Sequence, residues 1–275
     1  MQVWTVVNQK GGVGKTTSSV SLAGCLSALG YKVLLLDLDP QASLTHYFGF
    51  DSDSLEYNIY DLFMASQHSA SLSKVFPKTL LNTEIKNIAL LPSHMALATL
   101  DKSLAEQTGK GLIIKELIAK FGQKFDYIII DCQPVLGVLM VNALLAANKV
   151  ILPTQTEHLA KLGLNKMIAT IEQMKPSMQP NFRVHVVPTM FDRRLKACVN
   201  AFEDLRAMFK QAPGTQTNES ASSSNVAPIL WRGYIPLDTK FREASVLAKP
   251  INFVSSNARG SFAYEKLTTE LLKSA

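Results

Sequence analysis

Arginine is absent from the first 182 residues of this 275-residue chain. Residues 1–175 carry 15 lysines against 14 acidic side chains, whereas residues 176–275 carry six lysines and seven arginines against eight acids, a net of +5. The planar fork of arginine suits bidentate contacts to phosphate. Its confinement to the C-terminal third leaves two readings of that region, a solvated basic surface or a face that meets phosphate or nucleic acid.

Cysteine is scarce as well. Three cysteines, at positions 25, 132 and 198, are too few and too far apart for a disulfide framework or a zinc site. Cys25 lies on the stripe Leu22, Cys25, Leu26, Leu29, and Cys198 on the stripe Leu195, Cys198, Val199, Phe202. Both have the spacing of a core-facing helix. The five histidines are scattered without ligand spacing, so no metal role is expected of them. Long hydrophobic runs are missing too. The most apolar stretch, Tyr127 to Leu152, is broken by Asp131, Pro134, Asn142, Asn148 and Lys149, well short of the roughly 20 apolar residues of a membrane helix. Met1-Gln2-Val3-Trp4 leads into a strand pattern rather than a basic, then apolar, leader. A cytoplasmic location is expected.

What is present is an alternation of strand-like and helix-like segments. Buried strands are expected at Val3–Asn8, Val33–Asp39, Ile88–Pro92, Tyr127–Asp131, Val150–Thr154, Arg183–Thr189 and Ile229–Ile235. Helices are expected at Lys15–Leu29, Leu112–Phe121, Gly137–Ala147, Glu157–Met174, Arg194–Lys210 and Ser261–Lys273. Most of the strands are continuous apolar runs, as for strands covered on both faces. The expected fold is α/β, a doubly wound and mostly parallel sheet with helices on both faces. Without a repeat or an inter-domain linker, residues 1–275 read as a single domain. The Ser-, Thr- and Asn-rich segment 211–228 has almost no large apolar side chain, so a mobile surface loop is expected there.

Between the first strand and the first helix runs Lys10-Gly11-Gly12-Val13-Gly14-Lys15-Thr16-Thr17. A strand-to-helix turn of this composition is the context of a phosphate-binding loop. The glycines let successive N–H groups turn inward, toward an anion at the positive end of the helix dipole. Lys15 supplies a charge to the β- and γ-phosphates of ATP, and the Thr16 hydroxyl can ligate Mg²⁺. The general pattern has glycine where this chain has Gln9, and Lys10 is an addition to it.

With that lysine, the loop resembles the deviant Walker A motif of the ParA/MinD family of positioning ATPases, which have the P-loop NTPase fold. The resemblance implies that Lys10 reaches the partner subunit's ATP across a nucleotide-sandwich homodimer. Leu36-Asp37-Leu38-Asp39-Pro40-Gln41 is similar to the family's second motif. It implies that Asp39, 24 positions past Lys15, positions the attacking water and sits near the metal, with Asp37 structural. Tyr127-Ile128-Ile129-Ile130-Asp131-Cys132-Gln133-Pro134 looks like a Walker B strand with Asp131 holding Mg²⁺ through water. Gln133 stands where the family more often has Pro or Thr. Tyr234-Ile235-Pro236-Leu237-Asp238 with Phe241 to Ala244 resembles the base-binding loop, implicating Pro236 and Asp238, the latter Asn in many relatives. A second wall of the base pocket is expected from Val187 to Asp192, with Pro188 and Met190 as its contacts.

Two lysines and an aspartate without an acceptor-substrate motif suggest a switch, and the resemblance implies hydrolysis that is slow alone and stimulated by an adaptor protein linked to a cargo. A metabolic ligase or synthetase of the same fold is the alternative. An iron–sulfur reductase would need two surface cysteines per subunit. Nonspecific DNA is the expected matrix. Arg193, Arg194 and Lys196 are expected in a helix's first turn capped by Asp192, with Arg232, Lys240, Arg242, Lys249 and Arg259 as further phosphate contacts. MinD-like relatives attach to membranes through a basic C-terminal helix. Here Tyr264, Leu267 and Leu271 share one face of a near-neutral final helix, expected to dock on the core without membrane insertion. Ala42 to Gly49, Asp51 to Leu55 and Tyr60 to Phe63 look like the ParC-like subgroup that positions polar chemotaxis arrays, with plasmid or chromosome partition as the alternative.

Overall fold

The computed structural model describes residues 1–66, 69–100, 112–157, 160–178, 182–210 and 228–274. Apart from Pro228, the segment expected to be a mobile loop lies outside these residues. The described strands are β1 Gln2–Val6, β2 Val33–Leu38, β3 Leu81–Asn82, β4 Ile88–Leu91, β5 Tyr127–Cys132, β6 Lys149–Gln155, β7 Arg183–Thr189 and β8 Ile229–Leu230. They form one sheet in the order β3-β4-β2-β5-β1-β6-β7-β8. Every pairing is parallel except β3 with β4. The described helices are α1 Lys15–Ala28, α2 Ser43–Tyr47, α3 Ile59–Ala65, α4 Ser69–Thr79, α5 Ile113–Phe121, α6 Val138–Ala146, α7 Ala160–Met178, α8 Lys196–Lys210, α9 Lys240–Val246, α10 Ile251–Val254 and α11 Arg259–Lys273.

The continuous apolar strands serve two cores, because successive side chains of a strand point to opposite faces. On one face Val3, Leu34, Leu36, Ile128, Ile130, Val150 and Val184 pack with residues of α3 to α8, among them Leu62, Phe76, Leu117, Met140, Met167 and Leu205. On the other, Trp4, Leu35, Ile129, Ile151 and Val187 meet Leu22 and Leu26 of α1 and Tyr264, Leu267 and Leu271 of α11. That apolar stripe of α11 is buried against the sheet. Among the described residues no helix is long and apolar enough to cross a membrane.

Several boundaries differ from expectation, each for a local reason. The helix expected from Arg194 begins at Lys196. Asp192 folds back instead, its Oδ1 accepting from the Arg194 N–H at 3.0 Å and its carbonyl from the Leu195 N–H at 3.1 Å. Arg193 and Arg194 therefore occupy a turn before the helix. The stripe through Cys198 is displaced with it: Leu195 is exposed, Cys198 is half-buried, and the core positions are Ala201, Phe202 and Leu205. The expected strand Ile229–Ile235 keeps ladder pairing only in β8. Beyond it the chain touches β7 at intervals, through Trp231 N–H to the Val186 carbonyl (2.9 Å) and Ile235 N–H to that of Pro188 (2.8 Å). The helix expected at Glu157–Met174 runs from Ala160 to Met178. The elements α2, α3, α4, α10 and β3 had no counterpart in the sequence pattern, while α9 covers Phe241 to Ala244, where the resemblance implies a helix after the base-binding loop.

β1 lies between β5 and β6: on one side the chain runs outward through β6, β7 and β8, and on the other it passes through β2 to β3 and β4 before β5 returns beside β1. The crevice beyond its C-terminal end is the switch point at which open parallel sheets bind ligands. The glycine-rich loop leaves β1 there.

Candidate nucleotide-binding site

Three side-chain hydrogen bonds hold the loop, two made by Asn8 at its start and one by Thr189 at the end of β7. Asn8 donates through Nδ2 to the Pro153 carbonyl at 2.8 Å, and its Oδ1 accepts from the Lys10 N–H at 2.9 Å. At the far side, Thr189 at the end of β7 donates to the Val13 carbonyl at 2.9 Å. Gly12 and Gly14 have φ of +71° and +87°, the left-handed region that only glycine enters without strain. No atom lies within 4 Å of where a Cβ would stand on Gly11 or Gly12, so the loop backbone faces open space. Gly14 caps α1 without any side-chain bond to the first helical N–H groups, which leaves those donors to an anion.

Lys15 is 8% exposed, its Nζ 3.3 Å from the Lys10 carbonyl. Burial lowers its pKa, opposed by the charges of Asp131 and Asp39 and by Cys132. One helical position on, Thr16 donates to Asp131 Oδ2 at 2.7 Å, while Ser19 donates to Asp131 Oδ1 at 2.9 Å. Asp131 is buried, and that burial pushes its pKa up to about 6 against the bonds from Thr16 and Ser19. Hydroxyl and carboxylate oxygens so grouped are the donor set of a hard cation such as Mg²⁺. Asp37 stands beside Asp131 in the β2–β5 register. It accepts from Thr45 N–H (2.8 Å), Thr45 Oγ1 (2.7 Å) and Asp39 N–H (3.1 Å), and burial, then Asp131, raises it to about 8. It ties the turn after β2 together. Asp39 is half-buried at the rim, with Oδ1 accepting from the Gln41 N–H at 2.9 Å.

Lys10 takes another path. Its Nζ forms an ion pair with Glu157 of the same chain and stands 3.4 Å from Gln155 Oε1. Its Cβ lies 3.8 Å from the Cβ position of Gly163 on α7. Gln155 in turn donates through Nε2 to Met190 Sδ at 3.3 Å. Met190 has φ +54°, and its methyl is 4.0 Å from the Cβ position of Gly14, so it overhangs the loop. The Pro188 carbonyl holds the Ile235 N–H, and Phe191 bridges to Pro236. These contacts draw the two expected base-pocket segments together. Asp238 also has a structural part: Oδ1 accepts from the Lys240 N–H (3.0 Å) and Oδ2 from the Gly260 N–H (3.1 Å), so its carboxylate ties α9 to α11.

The basic residues divide. Arg194 grips Asp192 through Nε (2.9 Å) and Nη2 (2.6 Å), and the charge of Arg259 also bears on that aspartate. Arg206 pairs with Glu203 at 3.1 Å and reaches the Arg232 carbonyl at 3.4 Å. Lys240 pairs with Glu243. Arg193, Arg232, Arg242 and Arg259 are exposed, and Lys249 is half-buried. Cys25 and Cys132 are buried, which removes them as surface ligands for a cluster shared between subunits.

Asn8, Ser19, Gln155, Glu157 and Thr189 were not singled out in the sequence. Ser19 was within reach, three and four residues past Thr16 and Lys15 on one helix face. Asn8 lies two residues ahead of Lys10, and its bond to the Pro153 carbonyl spans 145 positions; Gln155, Glu157 and Thr189 come from strand ends far away in sequence.

A family model described as an AAA domain matches residues 1–184. The sporulation initiation inhibitor protein Soj of Bacillus subtilis is 29% identical over 271 residues, 98% of each chain. The chromosome partitioning protein ParA of Caulobacter vibrioides is 29% identical over 275 residues, 99% of this chain and 94% of that one. The chain belongs to the ParA/MinD family. Membership accounts for the deviant loop on a P-loop sheet. Among solved structures, the cobyrinic acid a,c-diamide synthase of Mycobacterium smegmatis with bound ADP and magnesium is 30% identical. It superposes with a TM-score of 0.75 over 99% of this chain and 94% of its own. ParA/MinD proteins thus share their frame with a metabolic synthase, and the two must be separated by chemistry rather than by fold.

Proposed function

We propose that this chain is an ATP-dependent switch that positions or partitions a cargo. It binds ATP·Mg²⁺ beyond β1, forms a homodimer in that state and holds nonspecific DNA. Hydrolysis stimulated by a cargo-linked adaptor then releases it. The observation that carries this reading is that the two lysines of one loop have different destinations. Lys15 is buried against its own cradle, whereas Lys10 leaves it for Glu157, as suits a residue that serves another subunit's nucleotide.

The loop N–H groups and the end of α1 would take the phosphates, and Lys15 would neutralise the charge that builds on the γ-phosphoryl oxygens. Thr16 and Asp131 would hold Mg²⁺, which supplies charge neutralisation between the β- and γ-phosphates. Asp39 keeps Oδ1 on the Gln41 N–H, leaving its other oxygen to orient a water toward the γ-phosphate and take its proton. Met190, Pro188 and Pro236 would flank the base.

Nucleotide binding and turnover of three variants test the assignment. Lys15→Ala should abolish ATP binding; retained affinity would remove the loop from the mechanism. Asp39→Ala should bind ATP and accumulate as a dimer, measured by light scattering, with normal turnover refuting the water-orienting role. Lys10→Ala should bind ATP as a monomer.

The cargo reading follows the resemblance of residues 42–63 to proteins that position polar chemotaxis arrays, with a cytoplasmic, nucleoid-associated or polar location. The likeness to the chromosome partitioning protein ParA favours plasmid or chromosome partition as the second reading. Neighbouring genes and the localisation of a tagged copy separate them. A metabolic synthase reading rests on the likeness to the cobyrinic acid enzyme. It requires phosphoryl transfer to an acceptor, so ADP release in the absence of any acceptor opposes it.

A further inference from the structure

We propose that Ser19 is a positioning residue for the metal-facing carboxylate, fixing the rotation of Asp131 so that Thr16 and Asp131 present their oxygens to one cation. This rests on the ATP·Mg²⁺ reading of the site. Ser19 is fully buried on α1. Its Oγ lies 2.9 Å from Asp131 Oδ1 and 3.2 Å from the Lys15 carbonyl. A hydroxyl has a single proton to give, and an ionised carboxylate is the stronger acceptor of the two. Thr16 spends its own proton on Asp131 Oδ2 at 2.7 Å. Two hydroxyls from one turn of one helix therefore clamp the two oxygens of one carboxylate.

The clamp has a consequence for each partner. With its proton committed to Asp131, Thr16 turns its lone pairs elsewhere, where a cation can use them. With both oxygens held, Asp131 cannot rotate about its terminal torsion, which is otherwise broad. Remove Ser19 and Thr16 can follow either oxygen, so the lone-pair directions toward the cation spread. Helix propensity gives no reason for a serine here: alanine is better in a helix interior, and serine competes with the backbone for hydrogen bonds. Ser21, on the same helix, supplies the contrast. It too is buried, but its Oγ bonds the Thr17 carbonyl at 2.7 Å and approaches no carboxylate.

A Mg²⁺ titration of fluorescent ATP-analogue binding tests the role, using the full chain and the variants Ser19→Ala, Ser21→Ala, Asp131→Ala and Ser19→Ala/Asp131→Ala. Loss of a partner that orients a metal ligand costs about 10-fold in metal affinity. The Mg²⁺ midpoint of Ser19→Ala should therefore rise by about that factor, while nucleotide affinity in excess chelator stays at the wild-type value. Ser21→Ala should shift neither. In the Asp131→Ala background the Ser19 substitution should add nothing, since its acceptor is gone. An unchanged midpoint in Ser19→Ala, or shifts that simply add in the double variant, would overturn the proposal. Equal shifts from Ser19→Ala and Ser21→Ala would do so as well, by making the effect one of helix packing. A wild-type chain whose nucleotide binding ignores Mg²⁺ would instead overturn the site reading beneath it.

Discussion

Gly24 sits mid-way along α1, and replacing it with alanine sets two effects of opposite sign against each other. Alanine is the better helix former by about 1 kcal/mol, so on propensity alone Gly24→Ala stabilises. Packing opposes it. A Cβ built on Gly24 would stand 2.3 Å from Pro250 Cβ, 2.4 Å from Asn252 Oδ1 and 2.9 Å from Pro250 Cγ, where carbon atoms prefer roughly 3.5–4.0 Å. The proline ring is rigid and cannot swing away, so the start of α10 must move as a unit. Overpacking of this kind costs typically 1–3 kcal/mol, and a clash this close belongs at about 3. Moving α10 also breaks the bond from Asn252 Nδ2 to the Gly24 carbonyl at 3.1 Å, worth about 1 kcal/mol. The net is a loss of about 3 kcal/mol. At roughly 2–4 °C per kcal/mol for a chain of this size, the melting temperature should fall by about 6–12 °C. Calorimetry of the two proteins at one pH and salt concentration measures it directly. A variant as stable as the parent, or more so, would show that α10 is not seated on α1, and the argument would fail with it.

His185 predicts an acid sensitivity. Burial first, then the charges of Lys149 and Arg183, push its pKa down from 6.5 to about 4, and its Nε2 has no hydrogen-bond partner. The fold holds it neutral, so its contribution is intact above about pH 6.5 and is lost progressively as pH falls toward 4. The loss amounts to up to about 3 kcal/mol. The urea midpoint of His185→Leu should decline less than that of the parent between pH 7 and pH 4.5, and parallel declines would refute the buried neutral imidazole. For the basic C-terminal region, ATP-dependent retention on nonspecific DNA should weaken as salt rises and on substituting Arg242 or Arg259. Indifference to salt and to both substitutions would leave those side chains as ordinary surface.

Much of the fold was legible because its signals are local. Val33 to Leu36 and Tyr127 to Ile130 are continuous apolar runs, and both open strands that are fully or almost fully buried. The elements that escaped are short or polar: α2 is five residues, β3 two, too brief for a periodicity to register. Helix boundaries slipped where a side chain captured the backbone, as Asp192 does ahead of α8.

In the site, the identity of the loop was written in consecutive residues. Glycines that need positive φ, a lysine and a threonine at a strand-to-helix turn specify a phosphate cradle through backbone geometry alone, and Lys10 marks the family. What those residues do to one another was decided by the sheet. β5 and β6 flank β1, so Asp131 arrives beside Thr16 and Ser19 from 115 and 112 positions away. Likewise Glu157 meets Lys10 across 147 positions, and Asp238, matched to the base loop by sequence, spends both oxygens on backbone N–H groups. Local chemistry can be read from neighbouring residues because backbone dihedrals and side-chain spacing are local. Partnership cannot, because it depends on which strands lie side by side, and that order is set by how the whole apolar sheet is buried.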